Sequence, residues 1–245
     1  MGSPPEPPCE LLPWDSQFFG VRVARVVPSA VDEGTLQEAV SWCREQRVGC
    51  AYLLVRADDE QSVRAAEHAR FQLVDIRVTL QAVTGLDSSA AVSGVRLARA
   101  ADRDALAALA RISHRNTRFY VDGRFDTARC DELYATWILK SVDGELADVV
   151  LVSSDHGAVD GYVSARVTAD GTGSIGLIAV AAHAQGHGRG QALMHAALEW
   201  FRSREVTQVT VVTQGRSAPA LRFYEQCAFR TVSVQLWYHV WLAAE

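Results

Sequence analysis

Lysine is almost missing from this 245-residue chain: Lys140 is the only one, and arginine carries nearly all the positive charge. The net charge is −5. A chain without basic excess has no electrostatic footprint for a polyanion, so nucleic acid is not an expected partner. The shortage of lysine itself reads as genome composition rather than function. Cysteine is sparse as well. Cys9, Cys43, Cys50, Cys130 and Cys227 form an odd set without Cys-x-x-Cys spacing, which suits neither a disulfide framework nor a zinc site. No run approaches the roughly 18 apolar residues of a membrane span. The first eight residues lack a basic segment followed by an apolar one, so a cytoplasmic protein without membrane association is expected. What is present is ordinary for a globular chain: 49% hydrophobic and 8% aromatic residues, in a length that suits one large or two modest domains.

The richest segment is residues 177–190. An apolar strand, Leu177-Ile178-Ala179-Val180, runs into His183-Ala184-Gln185-Gly186-His187-Gly188-Arg189-Gly190, and Gln191-Ala192-Leu193-Met194 opens a helix. Three glycines at alternate positions let a backbone approach a large anion, and a helix N-terminus offers free N–H groups. A phosphate or pyrophosphate fits that combination. A Walker loop is excluded, because Arg189-Gly190-Gln191 supplies no Lys followed by Ser or Thr. A dinucleotide fingerprint fits poorly, because the spacing is G-x-G-x-G and Glu205 precedes the next strand. His183 and His187 have an H-x-x-x-H spacing, but they fall in the loop without a third ligand, so no metal is expected.

Gln185, Gly188 and Gly190 match the acetyl-CoA loop of the GNAT N-acetyltransferases, which this chain resembles. A second segment strengthens the likeness. After a strand over residues 207–213, Ser217-Ala218-Pro219-Ala220-Leu221-Arg222-Phe223-Tyr224 resembles the second GNAT signature, in which Ala220, Tyr224 and Phe229 match. Ser217 stands where the family has Asn, and Ala228 where it has Gly. Ser217 is a plausible N-cap, and Pro219 is tolerated in a first turn. Tyr224 has two readings, a core residue or, by the resemblance, the acid that protonates the leaving thiolate.

The resemblance implies acetyl-CoA as donor and direct acyl transfer. Ile178, Ala179 and Val180 would pair with the pantetheine arm, and the Val180 N–H would polarise the thioester carbonyl. Gly186, His187, Gly188, Arg189 and Gly190, with Gln185 and Ser217, would hold the coenzyme. Tyr224 and Val180 are the expected catalytic groups. The acceptor must arrive as a free amine. A water chain is the default base, with Glu67, His114 and Asp122 as other options. Cys227 reads as core rather than as a covalent nucleophile.

The expected fold is α/β, a mixed and largely antiparallel GNAT sheet flanked by helices, behind a smaller N-terminal α/β domain. Residues 1–8 read as a mobile tail, 9–84 as the N-terminal domain, 85–94 as a Ser/Gly-rich linker and 95–245 as the acetyltransferase domain. In the last, the expected order is strand, two helices, three antiparallel strands, helix, strand, helix and two strands. Glu67-His68-Ala69-Arg70-Phe71 sits like Glu225-Gln226-Cys227-Ala228-Phe229, with Ala66 at the place of Tyr224. This is either a degenerate half-repeat or chance.

Two segments bear on the acceptor. Leu12-Pro13-Trp14-Asp15-Ser16-Gln17-Phe18-Phe19-Gly20 reads as a docking strand whose aromatics pack on the sheet. Arg118, Phe119, Tyr120 and Asp122 lie in an aromatic, polar loop suited to a phosphate and a base or sugar. With Leu133-Tyr134, Trp137 and Gly161-Tyr162-Val163-Ser164, these segments resemble the TDP-fucosamine acetyltransferase group. That resemblance implies a small-molecule acceptor, a TDP-linked 4-amino-dideoxy sugar. Alternatives are another small amine or antibiotic, or a non-catalytic module that binds acyl-CoA. The apolar final strand over residues 234–242 is suited to a homodimer contact or to burial within one chain.

Overall fold

The computed structural model describes residues 7–85, 94–155 and 157–242, and the side chain of residue 155 is not among the described parts. Most of the expected tail and linker therefore lies outside the described residues. Those residues carry eight α-helices and ten strands and divide into two compact units.

The first unit comprises the residues up to Arg77, Thr117–Arg129, and those from Ser233 on. Its early elements are β1 (Cys9–Leu11), α1 (Pro13–Phe19), β2 (Val23–Val26), α2 (Glu33–Glu45), β3 (Cys50–Arg56), α3 (Glu60–His68) and the first half of β4 (Gln72–Val83). Strand β2 pairs parallel with β3 through Val23↔Cys50 to Arg25↔Tyr52. This is the expected consequence of a helical crossover between consecutive strands. Leu36, Ala39 and Cys43 recur on one face of α2 and are buried, together with Leu53, Val55, Ala65 and Ala66. The α2 N-terminus is closed by Asp32, whose carboxylate accepts from the Thr35 N–H at 2.8 Å.

The second unit comprises Val78–Asn116 and Cys130–Val232. It holds β5 (Val95–Leu97), α4 (Arg103–Ser113), β6 (Val149–Asp155), β7 (Ala158–Val167), β8 (Gly173–Val180), α7 (Arg189–Arg202), β9 (Gln208–Gln214) and α8 (Ala218–Gln226). The helix α5 (Arg118–Asp122) belongs to the first unit, and α6 (Thr127–Val142) lies mostly in the second. Strands β5 to β8 form an antiparallel run, and β9 joins β8 in parallel. The last strand, β10 (Arg230–Trp241), has most of its length in the first unit, antiparallel to β3. This is the α/β architecture with a mixed sheet that the sequence implies.

Three local expectations are corrected. The segment read as a docking strand is the helix α1. Pro13 opens it where no N–H partner is lost, and Gly20 ends it at φ +69°. Helical spacing then stacks Trp14 on Phe18 at 5.0 Å. The loop after α4 winds into α5, closed by Gly123 at φ +73°. The two strands expected after α8 are one strand of 12 residues, because nothing in residues 230–241 breaks the extended run.

Candidate active site

The site begins with an irregularity in β8. Val163 pairs with Ile178 and Ala165 with Ile175, so Gly176 and Leu177 oppose Ser164 alone. This is a β-bulge, which bends and twists the strand that carries it. Ser164 Oγ accepts the displaced Leu177 N–H at 2.8 Å. A Cβ on Gly176 would stand 2.8 Å from that same Oγ, so any other residue here would displace the Ser164 hydroxyl that holds the bulge. The parallel pairing of β8 with β9 runs from Gly173↔Val209 to Ile175↔Val211, and its last pair is the residue before the bulge. Beyond it β8 keeps β7 on one edge, through Ile178, Ala179 and Val180.

The open edge carries usable backbone groups. Ala181 donates its N–H to the Asp160 carbonyl at 2.7 Å, which makes the adjacent Gly161↔Val180 pair non-hydrogen-bonded. In such a pair N–H and C=O point away from the partner strand, and the alternation gives Ile178 the same orientation. The Val180 carbonyl is met by Gln185 Nε2 at 2.9 Å.

The loop that follows leads to the N-terminus of α7. Gly186 and Gly188 adopt φ of +77° and +78°, and Gly188 caps α7 without a side-chain hydrogen bond. The first N–H groups of α7 have no partner within the helix by its geometry. These elements border a groove of about 570 Å³ lined by Ile178, Val180, Gly188, Gly190, Ser217 and Tyr224, among others. Among the described residues, Arg189 is the one charged residue in the lining, and no carboxylate is among them. Its Nε lies 3.2 Å from the buried Asp160 carboxylate, which fixes the start of α7 to β7. His187 is exposed and is not among the residues that line the groove, and its Nδ1 lies 2.8 Å from the Gln185 carbonyl.

Helix α8 forms the other wall. A Cβ on Gly190 would lie 3.1 Å from the Phe223 ring, so the third loop glycine sets the approach of α7 to α8. Ser217 holds the N-cap position without capping through its hydroxyl. Tyr224 is buried, and burial, with a smaller push from Cys227, raises its phenol well above the ordinary value. It therefore holds its proton at neutral pH. Cys227 is buried too, and burial pushes its thiol up to about 11, so no thiolate is available there as a nucleophile.

Two further clusters hold titratable groups. In the second unit His114 ends α4, with Nε2 2.8 Å from the Tyr162 hydroxyl and its ring stacked on Tyr134 at 4.8 Å. In the first unit, Arg118 lies over the rings of Tyr52, Trp237 and Phe119 at 4.2, 4.2 and 4.5 Å. Its Nη1 is 3.3 Å from His239 Nε2, and His239 Nδ1 is 2.5 Å from Asp122. Burial pushes Asp122 up, but hydrogen bonds from His239 and Trp241 outweigh it and leave the carboxyl below its ordinary value. Burial holds His239 down at about 4, against the pull of Asp122, so the imidazole is neutral between an anion and a cation. Phe119 and Asp122 both face the core, whereas Arg118 and Tyr120 are half-buried.

The model of the Acetyltransferase (GNAT) family matches residues 106–229, half of the chain. The chain belongs to the GNAT acetyltransferase family. Among its relatives is a dTDP-fucosamine acetyltransferase of Escherichia coli O6:H1, 30% identical over 230 residues that span 93% of this chain and 96% of the relative. The spore coat polysaccharide biosynthesis protein SpsD of Bacillus subtilis is 26% identical over 144 residues, 59% of this chain and 49% of that one. In fold, this GNAT acetyltransferase is similar to a GCN5-related N-acetyltransferase from Sphaerobacter thermophilus. The TM-score is 0.64 at 18% identity, covering 95% of this chain and 76% of that chain.

The family's donor is acetyl-CoA, and the groove of this acetyltransferase fits it. A strand edge with outward amides, a glycine turn at a helix N-terminus and walls without carboxylates suit an amide-bearing arm that ends in a pyrophosphate. Of the residues singled out in the sequence, Ile178, Ala179, Val180, Gln185, Gly186, Gly188, Arg189, Gly190, Ser217 and Tyr224 gather at this groove. Arg118, Phe119, Tyr120 and Asp122 belong to the other unit. Sequence reading missed Phe223 and Asp160, and it named His114 and Tyr162 without pairing them. An Asp directly before a glycine inside an apolar strand run, Asp160-Gly161, was the available signal.

Proposed function

We propose that this enzyme moves an acetyl group from acetyl-CoA directly to the amine of a TDP-linked 4-amino-4,6-dideoxy sugar. The observation that carries the chemistry is the open edge of Ile178–Val180 beside a glycine turn that opens onto the N-terminus of α7. Acetyl-CoA supplies an acyl group as a thioester. Ile178 and Val180 bind its arm as an added strand would, through backbone groups that β7 does not use. Gln185 holds the Val180 carbonyl, which leaves the Val180 N–H to donate to the thioester oxygen and to stabilise charge as it develops. The amides around Gly186, Gly188 and Gly190 hold the pyrophosphate, and Arg189, anchored on Asp160, adds positive charge. Tyr224 protonates the departing thiolate, a role its desolvated and fully protonated phenol suits.

The acceptor reading rests on the relative that is named for dTDP-fucosamine and spans nearly the whole chain. Arg118 and Tyr120 are the residues proposed to meet the acceptor. Phe119 and Asp122 brace them, since Phe119 packs under the guanidinium and Asp122 anchors His239 beside it.

Thiol release from acetyl-CoA, measured against TDP-amino sugars, aminoglycosides and amino-terminal peptides, tests the proposal. Turnover confined to a TDP-amino sugar is the expected result. Turnover confined to another class keeps the enzyme and discards the acceptor. Silence on every amine, with acetyl-CoA still bound in calorimetry, leaves a binding module.

A further inference from the structure

Two ends of the coenzyme groove meet at one residue of β7. Gly161 of that strand pairs with Ser153 and Val159 with Ser154, so Asp160 is an extra residue with no partner on β6. This is a second β-bulge, and a bulge re-aims the side chain that it carries. A Cβ on Gly161 would stand 2.9 Å from Leu193 of α7 and 2.7 Å from Ser153 Oγ, so Gly161 and Ser153 mark the α7 face. Regular alternation would turn Asp160 to the opposite face. The extra residue brings its carboxylate to the α7 face instead, where Ser153 Oγ donates to Oδ1 at 2.5 Å and Arg189 Nε lies 3.2 Å from Oδ2.

The main chain of Asp160 serves the other end. Its carbonyl accepts the Ala181 N–H at 2.7 Å, which leaves the N–H of the preceding Val180 on the open edge. Asp160 thus touches the strand end that receives the thioester and the helix start that receives the pyrophosphate. Asp160 is 2% exposed and needs no route to a ligand. Its effect passes through Arg189, which is half-buried and lines the groove. Gly94 leaves that side chain its place, since a Cβ there would stand 3.2 Å from Nη1.

A buried ion pair is a weak source of stability, because the cost of desolvation offsets the attraction. Fixing a register is its best-attested use. The contact here is also one of charge rather than of an aligned hydrogen bond, because Oδ2 has no hydrogen-bond partner among the described residues. Attraction of that kind is only weakly directional, so Arg189 can turn its N–H groups toward a phosphate without leaving Asp160.

Resting on the proposed coenzyme site, we infer that Asp160 is a positioning residue that sets the pyrophosphate end of the groove against its thioester end. Through Arg189 the carboxylate pins the first turn of α7 to β7, and donors that carry a pyrophosphate are favoured. Removing the charge should loosen that end alone, because the bond to Ala181 is made by the main chain.

Two measurements test this role. The first needs no coenzyme: ¹H–¹⁵N NMR of the Arg189 Nε–H in the free protein. A signal protected from exchange with water is expected in wild type and should be lost in Asp160→Asn. A signal that the substitution leaves unchanged overturns the pairing. The second compares the affinities of acetyl-CoA and S-acetyl-pantetheine, which has the arm and the thioester but no pyrophosphate. Asp160→Asn should weaken acetyl-CoA about tenfold and change S-acetyl-pantetheine by less than about twofold. Ser153→Ala, which keeps both charges, should give the same pattern at about threefold. Equal losses for both compounds mean a general structural role and overturn the inference, as does acetyl-CoA binding that is unchanged or tighter. If wild-type protein binds acetyl-CoA no better than S-acetyl-pantetheine, the coenzyme reading falls, and the Arg189 signal still decides whether Asp160 holds α7.

Discussion

Two stretches of this chain follow the same course. Strand β3, helix α3 and strand β4 have 7, 9 and 12 residues, and so do β9, α8 and β10, at one constant offset along the chain. The non-glycine residues with positive φ obey the same offset: Arg47 (54°) answers to Glu205 (61°), and Arg70 (59°) to Ala228 (64°). The hydrogen bonds repeat as well. Phe71 N–H donates to Ala66 O at 2.9 Å, and Phe229 N–H to Tyr224 O at 3.0 Å. Matched lengths, strained residues and turns make a half-repeat the better of the two readings open from sequence. Each half also has a groove at the corresponding place, about 660 Å³ in the first unit and about 570 Å³ in the second. The size of the groove does not distinguish them.

Chemistry does. The first groove is lined by Asp32, Glu33 and Glu60, with Arg64 and His68 paired to Glu60 and Glu33. Its helix N-terminus is already filled by the Asp32 carboxylate, where Gly188 leaves the other one open. Ala66 stands where Tyr224 does. A repeated backbone thus yields one groove that favours a polyanion and one that repels it, decided by a few side chains.

The largest effect expected from breaking this comparison is at the acid. Tyr224→Phe should lower turnover about 10²-fold or more with coenzyme binding intact, measured by thiol release and calorimetry. Ala66→Tyr in the other half should create no activity. Burial holds the Tyr224 phenol above its ordinary value of about 10, so kcat should show no basic limb from it below about pH 10.

Next in size is the loop. Gly188→Ala places a Cβ at φ +78°, a strain of roughly 1–2 kcal/mol, and should weaken acetyl-CoA about tenfold in a calorimetric titration. Asp32→Gly in the counterpart should leave that affinity unchanged.

The pH dependence of stability involves His239 in the first unit, which is buried, and His114 in the second, which is half-buried. His239 and His114 are both lowered to about 4 by burial, against about 6.5 in the unfolded chain. Between these values the unfolded state binds more protons, so stability is full above about pH 6.5 and is lost as pH falls toward 4. Thermal melts across that window should show the loss, with a shallower slope in His114→Phe. The smallest effect is expected at the strained turns. Ala228→Gly and Arg70→Gly should each raise stability by up to about 1 kcal/mol in chemical denaturation, by similar amounts if the turns are equivalent.

Most of the second unit was legible in sequence because its signals are local. Alternation marked β6 to β9, helical spacing marked α4, α6 and α7, and glycines at alternate positions marked the coenzyme loop. The segment around Trp14 misled because aromatic β-formers dominate it. Pro13 and Gly20 at its ends carried the decisive information. The open edge of β8 was not legible. Gly176 resembles any strand glycine until the register shows that it shares a bulge with Leu177 and that β9 departs there. The His114–Tyr162 pair joins residues 48 apart in sequence, a distance no periodicity bridges.

Calorimetric titration with acetyl-CoA tests most directly the claim that one of two matched grooves became a coenzyme site. One molecule bound per chain, with binding weakened by Gly188→Ala and indifferent to Asp32→Gly, is the predicted result. Two molecules per chain, or binding that survives the loop substitution and responds to the one at Asp32, would contradict it.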